Sequence, residues 1–335
     1  MSHPRGLGDA NTMRSAPPRT MLVTGAAGFV GSNLVDALLA RGDSVIGVDC
    51  LTPYYPPDSK RLNLTHALTQ PGFELIEADL RNADLTAMLD GVDVVFHQAA
   101  QPGVRLSWSD GFSDYASHNV LATQRLLEGV RDADVRRVVY ASSSSVYGNQ
   151  DRFPTVESDL PRPYSPYGVT KLAAEHLCAL YAENWGVATV ALRYFTVYGP
   201  RQRPDMSIYR LCEAVGTGAS FPRFGDGTQV REFTYVSDIV AANLLAADAD
   251  LAPGVTMNIA GGGEITLNEL IAMVGDLAGV DVAVENHPSQ AGDAKRNGGS
   301  TDRATELLGW TPEVTLREGI AAQLAWHKGR RRVTV

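Results

Sequence analysis

From Met21 onward the chain alternates short, continuous apolar runs with stretches of helical periodicity. The runs MLVTG, SVIGVD, FELIEAD, VDVVFHQAA, VRRVVYASS and VATVALRYF are rich in β-branched residues and lack strict apolar-polar alternation, as strands buried on both faces require. Between them lie helical stretches, one running to about Arg41, one from Phe112 to Asp132 and one from Ser165 to Trp185. This β-α-β-α order predicts an α/β fold, a Rossmann-type doubly wound parallel sheet, with ligands in the crevice at the strand carboxyl ends. After Phe195 the periodicity breaks into TVYGPRQRPDM and FPRFGDGTQVREFTYV. A helix near Ser237 to Asp248 and a strand near VTMNIA follow, then helices near Leu267 to Ala278 and Leu316 to Gly329. The expected division is a first domain over 20–195, rejoined near 231–260, and a smaller interleaved C-terminal lobe over 196–230 and 261–335.

A chain of 335 residues exceeds what one growing core usually holds, which agrees with one large unit and an appendage. A formal charge of -9 opposes nonspecific binding to nucleic acid or anionic membrane, so the expected partner is a small molecule. Cys50, Cys178 and Cys212 are odd in number and far apart, which indicates neither a disulfide framework nor a zinc site and fits a reducing cytoplasm. Residues 1–19, rich in Pro, Gly, Arg and Ser, read as a disordered leader without a signal-peptide core. No run approaches the length of a membrane span, so a soluble protein with no membrane and no metal is expected.

Gly25-Ala-Ala-Gly28-Phe29-Val30-Gly31 follows an apolar strand and opens an amphipathic helix, the context in which a glycine pattern points to a dinucleotide. Gly25 permits the tight turn, Gly28 the approach of pyrophosphate and Gly31 the packing of helix on strand. Asp49 ends the second strand, where an acid binds the ribose hydroxyls and repels a 2'-phosphate, so NAD is favoured over NADP. Asp79-Leu80 ends the third strand and can hold the adenine edge, or Asp79 can serve as a helix cap. His97-Gln98-Ala99-Ala100 ends the fourth strand in small residues, as a closely passing cofactor requires, with His97 read as a satisfied buried histidine.

Tyr167-Gly-Val-Thr-Lys171 begins a helix, and its i, i+4 spacing places phenol and ammonium on one face. The Lys cation and a positive nicotinamide both favour phenolate, which would let Tyr167 act as an acid-base group near neutrality.

GAAGFVG, HQAA, ASSSSVYG, YGVTK, RYFTVYGP and REFTYVSD, in this order, make the chain resemble the extended short-chain dehydrogenase/reductase family over nearly everything from Met21 to about Gly329, and within it the nucleotide-sugar 4-epimerases. The resemblance implies catalytic Ser143, Tyr167 and Lys171, and cofactor contacts that also include Asn119, Tyr194 and Val197. The implied reaction removes hydrogen from the sugar C4 to NAD, lets the 4-keto sugar turn, and returns hydrogen to the opposite face. Relatives that dehydrate or decarboxylate their sugar usually carry an acid two positions before the VYG tyrosine; this chain has Ser145 there.

Ser143, Ser144, Ser145 and Thr196 could converge as uncharged donors around a C6 carboxylate, which resembles the UDP-glucuronate 4-epimerases. The alternative is that these serines only allow close packing, in which case UDP-glucose or UDP-galactose is the substrate. Arg105 and Arg203 resemble sugar-pocket arginines of the glucuronate branch, and Met206 belongs to the same set. Arg231 matches the position that pairs with the nucleotide phosphates, Asp293 one that holds the uridine ribose, and Gln290 replaces an Arg common in UDP-galactose 4-epimerases. The apolar faces of the Phe112 to Asp132 and Ser165 to Trp185 helices imply a homodimer, though burial against their own sheet would also explain them. A UDP-glucuronate decarboxylase and a noncatalytic dinucleotide-sensing regulator remain as further alternatives.

Overall fold

The computed structural model describes residues 18–290, 292 and 294–333. Seven parallel strands form the central sheet: β1 (Thr20–Thr24), β2 (Ser44–Asp49), β3 (Phe73–Glu77), β4 (Val94–His97), β5 (Arg137–Ser143), β6 (Thr189–Tyr194) and β7 (Val255–Ile259). Their order is β7-β6-β5-β4-β1-β2-β3, so the winding direction reverses between β1 and β4 and opens a crevice above their carboxyl ends. The apolar runs become strands because helices cover both faces: Met21, Leu22 and Val23 of β1 and Val94, Val95 and Phe96 of β4 are all buried. One face carries Leu34, Val35 and Leu38 of helix α1 (Phe29–Ala40), and the other carries Leu126, Leu127 and Val130 of helix α2 (Ala122–Arg131).

Helix α3 (Pro166–Trp185) starts on local chemistry: the Ser165 hydroxyl accepts from the Gly168 amide, Pro166 occupies the first turn, and Gly186 closes the far end with φ +69°. The helix expected from Phe112 to Asp132 is interrupted. A single turn over Phe112–Tyr115 widens into a π-helical stretch, Ala116–Leu121, before α2 resumes. π-Bulges of this kind often sit beside functional sites.

The segments that looked irregular after Phe195 build a second, smaller core. Helix α4 (Ser207–Thr217) buries Ile208, Leu211 and Cys212 against Phe221, Phe233, Leu270, Ile320 and Leu324. Helix α5 (Val236–Asp248) returns to the central sheet, while α6 (Leu267–Ala278) and α7 (Leu316–Val333) belong to the second core. The helix over Asp302–Leu308 lies inside the stretch expected to belong wholly to the second lobe. It packs instead on β7, with Ala304 and Trp310 in the same core as Met257 and Ile259. Its apolar face is only two turns long, too short to reveal its partner.

Of the expected leader, residues 1–17 lie outside the described residues; Arg19 is paired with Asp43 and Asp248. Among the described residues, no helix is long and apolar enough to cross a membrane.

Candidate active site

A single cavity of about 800 Å³ runs from the β1 turn, over the carboxyl ends of β4, β5 and β6, into the second core. At one end Gly25 takes φ +67°, and a Cβ there would lie 2.8 Å from the Ala99 amide nitrogen. A Cβ on Gly31 would lie 2.1 Å from the Gly25 carbonyl oxygen, so both positions exclude any side chain. Gly28 caps α1 without a side-chain hydrogen bond, leaving the amides of the first turn open to the cavity, where Phe29, Val30 and Gly31 also lie. Such an end attracts pyrophosphate.

Asp49 is fixed by accepting from the amides of Ala27 (3.1 Å) and Leu51 (2.8 Å), so its carboxylate stands rigidly at the ribose position. Asp79 lines the cavity. It does not cap a helix; its carboxylate accepts from the Arg81 amide and guanidinium, and this ion pair holds it well below the usual carboxylate range. Cys50, Asp79 and His118 each bring a ligand atom within 4.8 Å of one another, but both Asp79 oxygens are already committed to Arg81.

His97 is neutral and structural. Thr24 Oγ1 lies 2.8 Å from Nδ1 and Thr123 Oγ1 lies 2.9 Å from Nε2, and burial pushes its pKa down to about 3. Gln98, Ala99, Ala100, Leu80, Tyr194 and Val197 line the cavity as expected. Asn119 stands behind the wall rather than in it: its side chain accepts from the Gln101 amide at 2.7 Å and donates to the Gln101 carbonyl and to Thr170, fixing the loop that does face the cavity.

Ser143, Tyr167 and Lys171 meet where β5 ends and α3 begins. Burial raises the Tyr167 pKa, and the Arg203 guanidinium and a hydrogen bond with Ser143 oppose that rise. Lys171 lines the cavity one turn along α3 from Tyr167. Its Nζ donates to the Ala141 carbonyl at 2.8 Å, and burial lowers its own pKa to about 7. The Ser145 amide donates to Ser143 Oγ at 3.1 Å, occupying a lone pair and leaving the Ser143 hydroxyl proton for the phenol oxygen.

Of the four consecutive serines, Ser142 commits its hydroxyl proton to Glu175 Oε2 at 2.7 Å, within a buried Glu175–Arg193 ion pair whose guanidinium also donates to the hydroxyl of Tyr147 of the VYG motif. Ser143, Ser144, Ser145 and Thr196 all line the cavity, as do Arg105, Arg203, Met206, Arg231 and Gln290. Asp293 lies outside the described residues. Arg105 stacks over the Phe224 ring at 4.3 Å, and Arg203 donates to both oxygens of Asp205.

Sequence reasoning missed Tyr54, Lys60, Asp205, Phe224 and Asn297, which also line the cavity. Tyr54 donates to Asp205 at 3.1 Å, and Lys60 donates to Thr52 at 3.0 Å beside Asp49. The YY-x4-K spacing, Tyr54-Tyr55 with Lys60, was the available signal.

A sequence profile described as "NAD dependent epimerase/dehydratase family" matches residues 21–260. The "Uncharacterized UDP-glucose epimerase YtcB" of Bacillus subtilis is 40% identical over 307 residues, covering 91% of this chain and 97% of that protein. Among solved structures, UDP-glucuronic acid 4-epimerase from Bacillus cereus in complex with UDP-glucuronic acid and NAD is similar with TM-score 0.90 and 38% identity, covering 93% and 99% of the two chains. MoeE5, solved with UDP-glucuronic acid and NAD, is similar with TM-score 0.84 and 43% identity over 93% and 99%. MoeE5 has also been solved with UDP-glucose and NAD.

Proposed function

The chain belongs to the NAD dependent epimerase/dehydratase family, and we propose that it interconverts UDP-glucuronate and UDP-galacturonate by inversion at C4. It is an NAD-dependent UDP-sugar 4-epimerase, an isomerase. The observation that carries the choice of sugar is the set of uncharged donors Ser144, Ser145 and Thr196, which line one cavity with Ser143 and Tyr167. Such donors hold a C6 carboxylate by charge-assisted hydrogen bonds without neutralising it. They also keep it away from alignment with a C4 ketone, in which a β-keto acid would lose carbon dioxide.

The cavity fits NAD: an open helix end for pyrophosphate, a rigid Asp49 for ribose and no room for side chains at Gly25 or Gly31. Bound NAD supplies a reversible hydride acceptor at the sugar C4. Tyr167 takes the O4 proton and later returns it, and Ser143 donates to the phenolate as charge develops. Lys171, anchored on Ala141, sits one turn beyond the phenol, where it can orient the nicotinamide ribose. Arg105 and Arg203 flank the sugar, and Arg231 meets the phosphates. The acids lining the cavity among the described residues are Asp49, Asp79 and Asp205, each already hydrogen-bonded, which disfavours dehydration.

The test is incubation with UDP-glucuronate and UDP-glucose separately, with resolution of the 4-epimers. Exclusive turnover of the neutral sugar refutes the uronate reading; release of carbon dioxide would make the enzyme a decarboxylase.

A second copy of the chain is the occupant we assign to the exposed face carrying Phe112, Leu121, Val169 and Leu180, residues 44–49% exposed despite their apolar character. Light scattering should report a dimer, and Leu180→Glu should shift it toward monomer. A reducing cytoplasm suits Cys50, Cys178 and Cys212, none of which forms a disulfide.

A further inference from the structure

We infer that Asn297 orients the Thr196 hydroxyl, turning its proton toward the C6 substituent of the sugar; this rests on the uronate reading above. The Glu232 amide donates to Asn297 Oδ1 at 3.0 Å. A peptide N–H cannot accept, so the end of the Asn297 amide facing Glu232 is its oxygen and the opposite end is its NH₂. That NH₂ donates to Thr196 Oγ1 at 3.3 Å. A threonine hydroxyl has one proton and two lone pairs; Asn297 takes one lone pair from behind, and the proton and the second lone pair remain toward the cavity, where a carboxylate, which only accepts, is met by the proton.

Asn297 is held to this task from both flanks. Its own amide donates to the Val230 carbonyl at 3.2 Å, and Val230 in turn donates to the Lys295 carbonyl at 3.0 Å. Thr155 donates twice to the Gly298 carbonyl, through amide and hydroxyl, and the Gly299 amide donates to Glu232 Oε2 at 2.8 Å. The chain of bonds from Glu232 through Asn297 to Thr196 therefore has one polarity. A C6 carboxylate only accepts, whereas a C6 hydroxymethyl group both donates and accepts and rotates freely. A hydroxyl whose proton is turned to the cavity bonds the charged carboxylate more strongly than a hydroxymethyl oxygen, and Asn297, which orients it without touching the reacting atoms, is a positioning residue for specificity.

The experiment measures binding by calorimetry, using NAD-loaded Tyr167→Phe protein so that no turnover intervenes. Asn297→Ala should weaken UDP-glucuronate about tenfold, as loss of an oriented bond to a charged group implies, and UDP-glucose less than about twofold. In a Thr196→Val background the Asn297→Ala change should add nothing, since its target hydroxyl is gone. Asn297→Ser, milder toward the surrounding segment, carries the same comparison if the alanine form unfolds. Equal losses for both sugars, or losses that simply add to those of Thr196→Val, overturn the inference alone and leave the uronate reading standing. Protein with intact Asn297 and Thr196 that binds both sugars alike overturns both.

Discussion

Replacing Ser143 with Ala removes a hydroxyl whose proton is directed at the Tyr167 oxygen by a fixed amide behind it. Burial already pushes Tyr167 up, and two groups oppose this, the Arg203 guanidinium and Ser143. A hydrogen bond to a charged acceptor contributes about 1.5–3 kcal/mol, which the half-open position of Ser143 reduces to about 1–2 kcal/mol. Since 1.36 kcal/mol corresponds to one pKa unit, the phenol should rise further by about one unit. The same energy lowers kcat by about 5–30-fold at a pH where phenolate is required. The sign follows from the chemistry: the active form is deprotonated, so a higher pKa moves the acid limb of the kcat/KM profile to higher pH. The assay is C4 epimerisation of UDP-glucuronate from pH 5 to 10, with Ser143→Thr as the variant that keeps a hydroxyl and should retain the original limb. A Ser143→Ala profile whose acid limb stays in place, or moves down, refutes the role of Ser143 as donor to the phenolate.

Glu175→Gln leaves Arg193 buried and charged with a weaker partner, and loss of unfolding free energy in urea should be about 3 kcal/mol; a loss below about 1 kcal/mol would mean the ion pair is not needed beneath the serine row. Gly31→Ala forces a Cβ to 2.1 Å from the Gly25 carbonyl, so the purified variant should carry far less NAD than the wild type, as chromatography of the released dinucleotide would show. Because His97 is depressed to about 3 from its ordinary 6.5, the folded state resists its protonation: its neutral form is favoured fully above pH 6.5, and stability falls as pH drops from 6.5 toward 3. A His97→Gln protein should show a shallower acid decline in its chemical unfolding midpoint.

The central sheet was legible because its strands are buried on both faces and write that burial as uninterrupted apolar runs, as in β1 and β4. The helix opening at Ser165 was legible for a local reason, with cap and proline adjacent in sequence. Local reading failed where a role depends on distant partners. Asn297 acts on Thr196 from 101 positions away, and Arg193 meets Tyr147 across 46. Arg203 resembles a sugar-pocket arginine in sequence, but its partner Asp205 is shared with Tyr54, which sits in a different stretch of the chain. Spacing puts Lys171 and Tyr167 on one face, but the Ala141 carbonyl that accepts from the ammonium is contributed by β5, 30 positions away.

The backbone passes repeatedly between the two cores: out through α4, back through α5 and β7, out through α6, back at Asp302–Leu308, and out again in α7. Stitching of this kind has a mechanical outcome. No single cut would yield two independently folding halves, and no one pivot could swing them apart like a clamshell. Sugar nucleotides would then enter and leave past the rim, over a floor in which α3 carries Tyr167 against the buried central sheet.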